Sequence, residues 1–484
     1  MKHYVLLSAL ALCGCAVGPD FHAPAAPDVT SYTRDAQPTA TQAAGTTQTL
    51  VAANSALPEW WTQFRSDALN HLVDTALQHS PTLDEARAKL VEARENYVAQ
   101  AGATEFPAID AKLSGTRQKV NPAAFGIPNV PNTGPFTLFN ASVTVSYALD
   151  VFGGNRRALE ALLAQVDYQT YELDAARLSL AGNVVSTAIR RASLQQQLAL
   201  TQQLADAQAK QLTIVEGRYA AGGVAQLDVR TQRTLLAQTR AQIPPLTTQL
   251  AQADHQLAIL LGVAPSQADF NDITLDALHL PDTVPVTLPS TLARERPDIR
   301  ASEALLHQAS ANVGVATANL YPQFVVSAGI GSERTRIEDV VNGMNIWNLG
   351  LNLTQPIFHG GELRAKKRAA QAAYDAAFAA YRQTVLQALQ QVADTLHALN
   401  DDASELKARD EAATEAQASV ATAQAQYAAG GVSQFGLIDT QRQALQTALD
   451  RTRAQADRLV DTAALFQALG GMTPAVSSDQ TATR

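Results

Sequence analysis

The sequence predicts an α+β chain in which a few membrane-spanning strands are joined to very long helices. Three observations predict this class: a set of landmarks that occurs twice, two long stretches without proline, and short segments in which apolar and small polar residues alternate. The chain has 484 residues, of which 46% are hydrophobic but only 6% aromatic and 17% charged. This composition favours long helices rich in Ala, Gln and Leu over a series of compact domains.

The chain contains an internal repeat. The segment Tyr219–Gln226 recurs almost unchanged as Tyr427–Gln434, and other corresponding landmarks also lie a little over 200 residues apart. Chance matches would not keep both order and spacing. We therefore interpret the chain as a tandem duplication with repeats at 59–285 and 286–472.

Each repeat is predicted to contain a pair of long helices, at about 154–262 and about 361–469. The first helix of each pair spans Asn155 to about Glu216 or Glu362 to about Tyr427. At about 1.5 Å per residue, each would be roughly 90–100 Å long, which no ordinary compact core requires.

Glycine pairs are predicted to reverse the chain between the two helices of each pair. Glycine adopts the positive φ of such a reversal without steric cost. The four glycines are Gly222, Gly223, Gly430 and Gly431. The returning helix of the first pair carries Pro244–Pro245, which predicts an interruption or a kink.

Segments with a period of two precede the long helices and predict β-hairpins at about 108–149 and 323–356. From Phe139 to Leu149, apolar residues alternate with Asn, Ser and Thr. A soluble antiparallel sheet also alternates, but its wet face usually carries Lys, Glu and Arg. Apolar residues on one face and small polar residues on the other are typical of a transmembrane β-barrel.

Two hairpins per chain cannot form such a barrel alone. Four strands do not close around a lumen, and open sheet edges are not tolerated in hydrocarbon. Several chains must therefore share one barrel. Three chains would give twelve strands, although the sequence does not fix that number.

The N-terminus has the layout of a secretory signal peptide, residues 1–14, with a basic start and a short apolar segment. Leu12–Cys15 resembles a bacterial lipobox, which makes Cys15 the lipidated first residue of the mature chain. Ala16 follows it, which favours the outer membrane. The alternative is an ordinary signal peptide with incidental cysteines. Residues 15–58 are then a lipid-anchored tether, and 473–484 a flexible tail.

Composition argues against several other classes of protein. A formal charge of −9 disfavours nucleic-acid binding, which needs a basic patch. Both cysteines lie within the first fifteen residues, so no disulfide framework is expected downstream. The sequence has no HExxH, P-loop, Rossmann or G-x-S-x-G pattern, and we predict no catalytic residues, no metal ligands and no cofactor.

Several short motifs in a fixed order carry a family resemblance. They are Cys15–Asp20, Trp60–Trp61, Leu149–Gly153, Gln226–Val229, Ile243–Leu246, Arg296–Arg300, Gln355–Phe358 and Asp439–Arg442. With the duplication and the lipobox, the chain resembles the TolC/OprM-type outer-membrane efflux proteins, specifically the NodT-like lipoproteins of RND efflux systems.

The resemblance implies a duplicated TolC-like fold and a homotrimer. Twelve strands would form an outer-membrane barrel that continues into a periplasmic helical barrel. Such a trimer is the exit duct of a tripartite pump, with a periplasmic membrane-fusion adaptor and an inner-membrane RND transporter as partners. It passes small molecules such as drugs or toxic compounds and performs no chemistry. The competing hypothesis is a lipid-anchored periplasmic helical adaptor or scaffold without a pore, which would not explain the alternating segments.

The resemblance also implies a gate at the helix-reversal tips. Phe435 and Asp439 lie four residues apart, on one helix face, and match the family's apolar and aspartate rings. Asp228 matches another acidic position, and Arg218 could bond across neighbouring helix pairs to hold the closed state. The alternative role for both aspartates is a carboxylate favoured at a helix start by the macrodipole.

Overall fold

The computed structural model describes residues 16–35, 39–43, 45–119, 134–268, 270 and 272–471. The described residues contain eight α-helices and seven β-strands. The helices are α1 (Asp67–His79), α2 (Pro81–Glu105), α3 (Gly154–Ala220), α4 (Gln226–Leu260), α5 (Pro289–Glu295), α6 (Pro297–Ala318), α7 (Glu362–Ala428) and α8 (Gln434–Ala468). The strands are β1 (Ala40–Ala43), β2 (Thr46–Ala53), β3 (Ala108–Gln118), β4 (Phe136–Leu149), β5 (Thr283–Thr287), β6 (Gln323–Arg334) and β7 (Ile346–Thr354).

The chain divides into two compact units. The first unit comprises Met1–Pro24, Lys89–Gln169 and Ser302–Tyr381. The second unit comprises Ala25–Ala88, Thr170–Ala301 and Arg382–Arg484. Helices α3 and α7 each have 67 residues, which corresponds to about 100 Å of helix.

The first unit contains a four-stranded antiparallel sheet with the order β3-β4-β6-β7. Its apolar residues alternate along each strand, and those of the edge strands are largely exposed within the single chain. Leu113 on β3 is 70% exposed and Trp347 on β7 is 79% exposed. An apolar sheet face of this kind needs a neighbour other than water. No helix among the described residues is long and apolar enough to cross a membrane.

The segment that contains Asp20 and Phe21 is docked in the first unit. Arg157 donates to Asp20 at 2.6 Å and to Glu160 at 2.7 Å, and the Arg157 side chain is only 7% exposed. Nε2 of His307 lies 2.8 Å from Glu160, and its ring stacks on Phe21 with centroids 4.4 Å apart. Burial acts to raise the pKa of Glu160, but the hydrogen bonds with Arg157 and His307 outweigh it and lower that pKa. The lipidation site predicted at Cys15 lies outside the described residues.

The second unit contains a smaller sheet, with the order β1-β2-β5, that the sequence did not predict. Strands β1 and β2 form a hairpin, and β2 pairs in parallel with β5. The hairpin lies within the segment predicted as an extended tether. Fully buried Arg458 on α8 holds it by donating to Thr41 at 2.9 Å.

The core of the second unit is built around Trp60, which is completely buried. Its ring stacks on Phe466 near the end of α8, with centroids 5.7 Å apart. Arg296 then closes this end of α8 by donating to the carbonyl of Ala468 at 2.8 Å. Arg296 also bonds Asp298 at 2.9 Å, so the guanidinium is both paired and buried.

Of the predicted interruption or kink at Pro244–Pro245, the interruption is wrong, because α4 continues through both prolines, and the kink stays a prediction. Proline has a helical φ, but inside a helix it leaves the carbonyl four residues earlier without a partner, and its ring clashes with that carbonyl. Those carbonyls belong to Arg240 and Ala241, which are exposed, as are the prolines themselves. Water can therefore satisfy the freed carbonyls, and the helix is maintained.

Candidate gate at the helix-reversal tips

Two tight turns, both in the second unit, reverse the long helices. We call residues 221–225 tip 1 and residues 429–433 tip 2. In tip 1, Gly223 donates to the carbonyl of Arg218 at 2.8 Å and Gly222 donates to that of Tyr219 at 2.9 Å. In tip 2, Gly431 and Gly430 make the same two bonds to Gln426 and Tyr427, at 2.8 and 3.1 Å. This pair of bonds defines a Schellman motif, which satisfies the last carbonyls of a helix.

Only one glycine of each pair is required by backbone conformation. Gly222 has φ +75° and Gly430 has φ +80°, whereas Gly223 and Gly431 do not have positive φ. One left-handed residue is sufficient because a Schellman motif needs only one. A Cβ at Gly222 or Gly430 would meet nothing within 4 Å. Backbone conformation alone therefore selects glycine there.

The acidic residue of tip 1 is engaged in capping the next helix. Asp228 accepts a hydrogen bond from the backbone N–H of Ala225 at 3.0 Å. That N–H precedes the first turn of α4 and has no partner within the helix. This contact is the one expected of a helix-start carboxylate.

The acidic residue of tip 2 has a different environment. Ser433 caps α8 by accepting from the N–H of Gly436 at 3.2 Å, so the cap does not need a carboxylate. Asp439 is exposed and accepts from Arg442 at 2.8 Å. Phe435 lies four residues before Asp439 on the same face and is 70% exposed. The first turns of α8, which follow tip 2, thus present an aromatic ring and an ion pair together.

Arg218 connects the two tips within one chain. Its guanidinium donates to the hydroxyl of Tyr427 at 2.9 Å and lies 5.3 Å from the centre of that ring. The Tyr427 hydroxyl in turn donates to Gln434 at 3.4 Å. One arginine therefore joins the end of α3 to the end of α7 and the start of α8.

The sequence reasoning missed Leu227. It follows Gln226 as Phe435 follows Gln434, and both side chains are largely exposed, at 73% and 70%. Both line one groove between α4 and α8, which we call the tip groove and define by Leu227, Arg230, Phe435, Ile438, Asp439 and Arg442. Aligning the two repeats residue by residue would have identified Leu227.

The described residues contain no cluster of three or more His, Cys, Asp or Glu side chains arranged to hold a metal ion. The contacts at the tips are hydrogen bonds, ion pairs and exposed apolar groups.

Comparison with known proteins identifies the family. The model of the protein family described as "Outer membrane efflux protein" matches residues 72–263 and 288–471. The chain is 31% identical over 421 residues to the pyoverdine export outer membrane protein OpmQ of Pseudomonas putida, covering 86% of this chain and 89% of OpmQ. It is 30% identical over 480 residues to the solvent efflux pump outer membrane protein SrpC of Pseudomonas putida, covering 97% of this chain and 98% of SrpC.

The fold is similar to that of the outer-membrane channel OprN. The TM-score is 0.83 with 27% identity, and the match covers 94% of this chain and 99% of that chain. The predicted fold class, an α+β TolC-like fold, is confirmed. Since the family model covers most of the chain, this protein is an outer-membrane transport duct and belongs to the outer membrane efflux protein family.

Proposed function

We propose that the chain is the exit duct of a tripartite RND-type efflux pump and works as a homotrimer with a periplasmic adaptor and an inner-membrane transporter. The observation that carries this proposal is the four-stranded sheet of the first unit, which has exposed apolar residues and two unpaired edges, β3 and β7. A monomeric periplasmic scaffold would have to leave that surface in water, which disfavours the competing hypothesis.

The dimensions of the sheet fit a membrane wall. Its strands contain 11, 14, 12 and 9 residues. A tilted transmembrane strand needs about 9–11 residues. Joining β7 of one chain to β3 of the next removes the open edges, and three chains give twelve strands around a lumen.

The gate belongs to the same proposal. Phe435 and Asp439 narrow the periplasmic end of the duct, and the bond between Arg218 and Tyr427 holds the closed arrangement. Asp228 contributes to the gate indirectly, by capping the helix that carries Leu227. An adaptor that contacts the tips would open the duct by replacing these exposed contacts.

Residues 1–14 are a signal peptide in this proposal, and 15–58 begin with lipidated Cys15. The efflux repeats occupy 59–285 and 286–472, and 473–484 form the tail. The contact between Asp20 and Arg157 supports a fixed position for the mature N-terminus, five residues beyond Cys15. We expect Cys15→Ser to abolish acylation while trimers still assemble, because the barrel is a membrane anchor of its own. Palmitate labelling of the variant, or its recovery as monomers, would contradict this.

The transported molecules are small organic compounds. The relatives named for pyoverdine export and for solvent efflux indicate that this scaffold accepts chemically different solutes. We expect the transporter, rather than the duct, to make most of the selection.

Light scattering of the detergent-extracted protein, corrected for bound detergent, is the first test. A mass of three chains, followed by discrete conductance steps in a planar bilayer, is the expected result. A monomer that stays soluble without detergent once its lipid is removed would contradict the duct and favour the scaffold.

A further inference from the structure

The tip groove carries an excess of positive charge. Two guanidinium groups, Arg230 and Arg442, line it together with one carboxylate, Asp439. Neither of the nearby carboxylates of α3 and α4 lines the groove: Asp228 accepts from the backbone N–H of Ala225, and Glu216 is paired with Arg233 at 2.6 Å. The side chains that line the groove therefore have a net charge of about +1 per chain.

The ion pair in the groove does not remove Arg442 from use. The guanidinium of Arg442 donates to Asp439 at 2.8 Å, but the side chains of Arg442 and Asp439 are 69% and 57% exposed. An exposed pair of this kind contributes only about 0–1 kcal/mol. A second anion can therefore share Arg442 at little cost. Arg230 is exposed and lines the same groove, about one turn of α4 after Leu227.

The groove also offers apolar contact area. The largely exposed side chains of Leu227 and Phe435 lie at its rim, and buried Ile438 contributes to its wall. Exposed apolar side chains beside paired arginines suit a solute with a ring or chain at one end and an acid group at the other. Guanidinium groups bind carboxylates and sulfonates through two parallel hydrogen bonds, which a lysine cannot reproduce.

We propose that the tip groove is a binding site for small amphipathic organic anions, with Arg230 and Arg442 holding the acid group and Leu227 and Phe435 contacting the apolar part. This inference deepens the proposed function and rests on it, because such anions would be loaded at the periplasmic end of the duct. The tip would then favour anionic solutes, whereas a ring of aspartates without the arginines would favour cations.

Titration calorimetry of the trimer in a nonionic detergent tests the site with 1-naphthalenesulfonate, against a blank of detergent alone. We expect saturable binding that weakens roughly tenfold or more in R230Q/R442Q, because both charge-assisted contacts are lost. The variant R233Q is the matched control, since Arg233 is exposed on the same helix but bonds Glu216 outside the groove. R230K/R442K should bind with intermediate affinity, and 1-naphthylmethylammonium, with the same ring and the opposite charge, should not compete.

Equal binding of the sulfonate by the wild type and R230Q/R442Q overturns the proposal. A helix of a partner protein would then be the remaining candidate for the groove. Preferential binding of the ammonium compound overturns it as well. If the double variant fails to assemble by light scattering, R230Q alone gives the same readout, with a smaller expected loss.

Bilayer recordings separate this inference from the proposed function. A protein that binds the sulfonate but never conducts contradicts the duct and leaves the anion site. The opposite result would contradict only the anion site. In that case the protein conducts in a KCl gradient, R230Q/R442Q leaves the reversal potential unchanged, and no sulfonate binds.

Discussion

The two helix-reversal tips have nearly the same sequence and the same turn, yet their acidic residues have different tasks. Both turns are Schellman motifs with one left-handed glycine, Gly222 or Gly430. Asp228 is tied to a backbone N–H at the start of α4. Asp439 lies further into α8, exposed and paired with Arg442.

The residue that caps the helix and the position of the acid account for the difference, since Asp228 lies two residues after Gln226 whereas Asp439 lies five residues after Gln434. In tip 2, Ser433 supplies the oxygen that caps the helix, whereas tip 1 has Ala225 at that position. Asp439 lies beyond the first turn of α8 and is not needed to cap that helix. Two copies of one motif can thus separate a structural carboxylate from one that is available for a gate.

The largest expected effect is on conductance. Replacing Phe435 and Asp439 by Ala should raise single-channel conductance roughly twofold or more, because both side chains narrow the passage. Asp228→Ala should raise conductance far less, since that carboxylate bonds the backbone and acts on the gate only through the helix that it caps. Single-channel recording in planar bilayers measures both. An equal increase in Asp228→Ala would break the comparison between the tips.

The next effect concerns carboxylates of α7 and α8 away from the tips. Burial, together with a hydrogen bond and repulsion from Asp461, raises the pKa of Asp402 to about 7. Burial and repulsion from Asp461 also raise the pKa of Asp457. The folded protein therefore keeps a proton on Asp402 up to about pH 7, whereas the unfolded chain releases it near pH 4. The stabilisation that comes from this bound proton is lost as the pH rises through the raised pKa of about 7.

We accordingly expect the melting temperature to fall between about pH 4 and about pH 7, the interval between the ordinary and the raised pKa of Asp402, and D402N to remove most of the fall. Circular dichroism melts at several pH values give the slopes. A wild-type melting temperature that rises over this range would contradict the assignment.

The glycines test whether the two turns are equivalent. Gly222→Ala and Gly430→Ala should each destabilise their tip by about 1 kcal/mol, because alanine is strained at positive φ. Gly223→Ala and Gly431→Ala should cost much less, since a Cβ there meets only ordinary contacts, at 3.4 and 3.6 Å. Native-state hydrogen exchange of the tip amides measures the local opening free energy. Equal losses at both glycines of a pair would contradict the Schellman geometry.

The smallest effects compare the caps with the exposed pair. Asp228→Ala and Ser433→Ala should each cost about 1 kcal/mol of local stability through loss of a cap. Asp439→Ala should cost about 0.3 kcal/mol, as expected for an exposed ion pair between neighbouring turns. Hydrogen exchange in the first turns of α4 and α8 distinguishes the values. A loss at Asp439 as large as that at Asp228 would show that both acids are structural.

Features encoded by local patterns could be predicted from the sequence. The alternation from Phe139 to Leu149 predicts a strand because successive side chains point to opposite faces. The proline-free stretch before Gly222 predicts a long helix with a reversal at its end. The repeat itself places Phe435 and Asp439 just after a second tip, and the family resemblance predicts a gate there.

Features that depend on distant partners could not be predicted. The hairpin of β1 and β2 has a polar sequence typical of a linker, and it folds because Thr41 meets Arg458, 417 residues away. The dock of Asp20 on Arg157 spans 137 residues and has no local signal. The groove shared by Leu227 and Phe435 exists only because α4 and α8 lie side by side.

The sequence by itself determined the duplication, the strands, the long helices and the glycine turns, because each follows from periodicity or backbone preference within a few residues. Only the tertiary structure decided which aspartate caps a helix and which is exposed, where Arg218 bonds, and how the polar N-terminal segment is held. Those outcomes depend on contacts between groups that are hundreds of residues apart in the sequence. The role of a charged or hydrogen-bonding side chain is determined by the partner that it contacts in the folded chain.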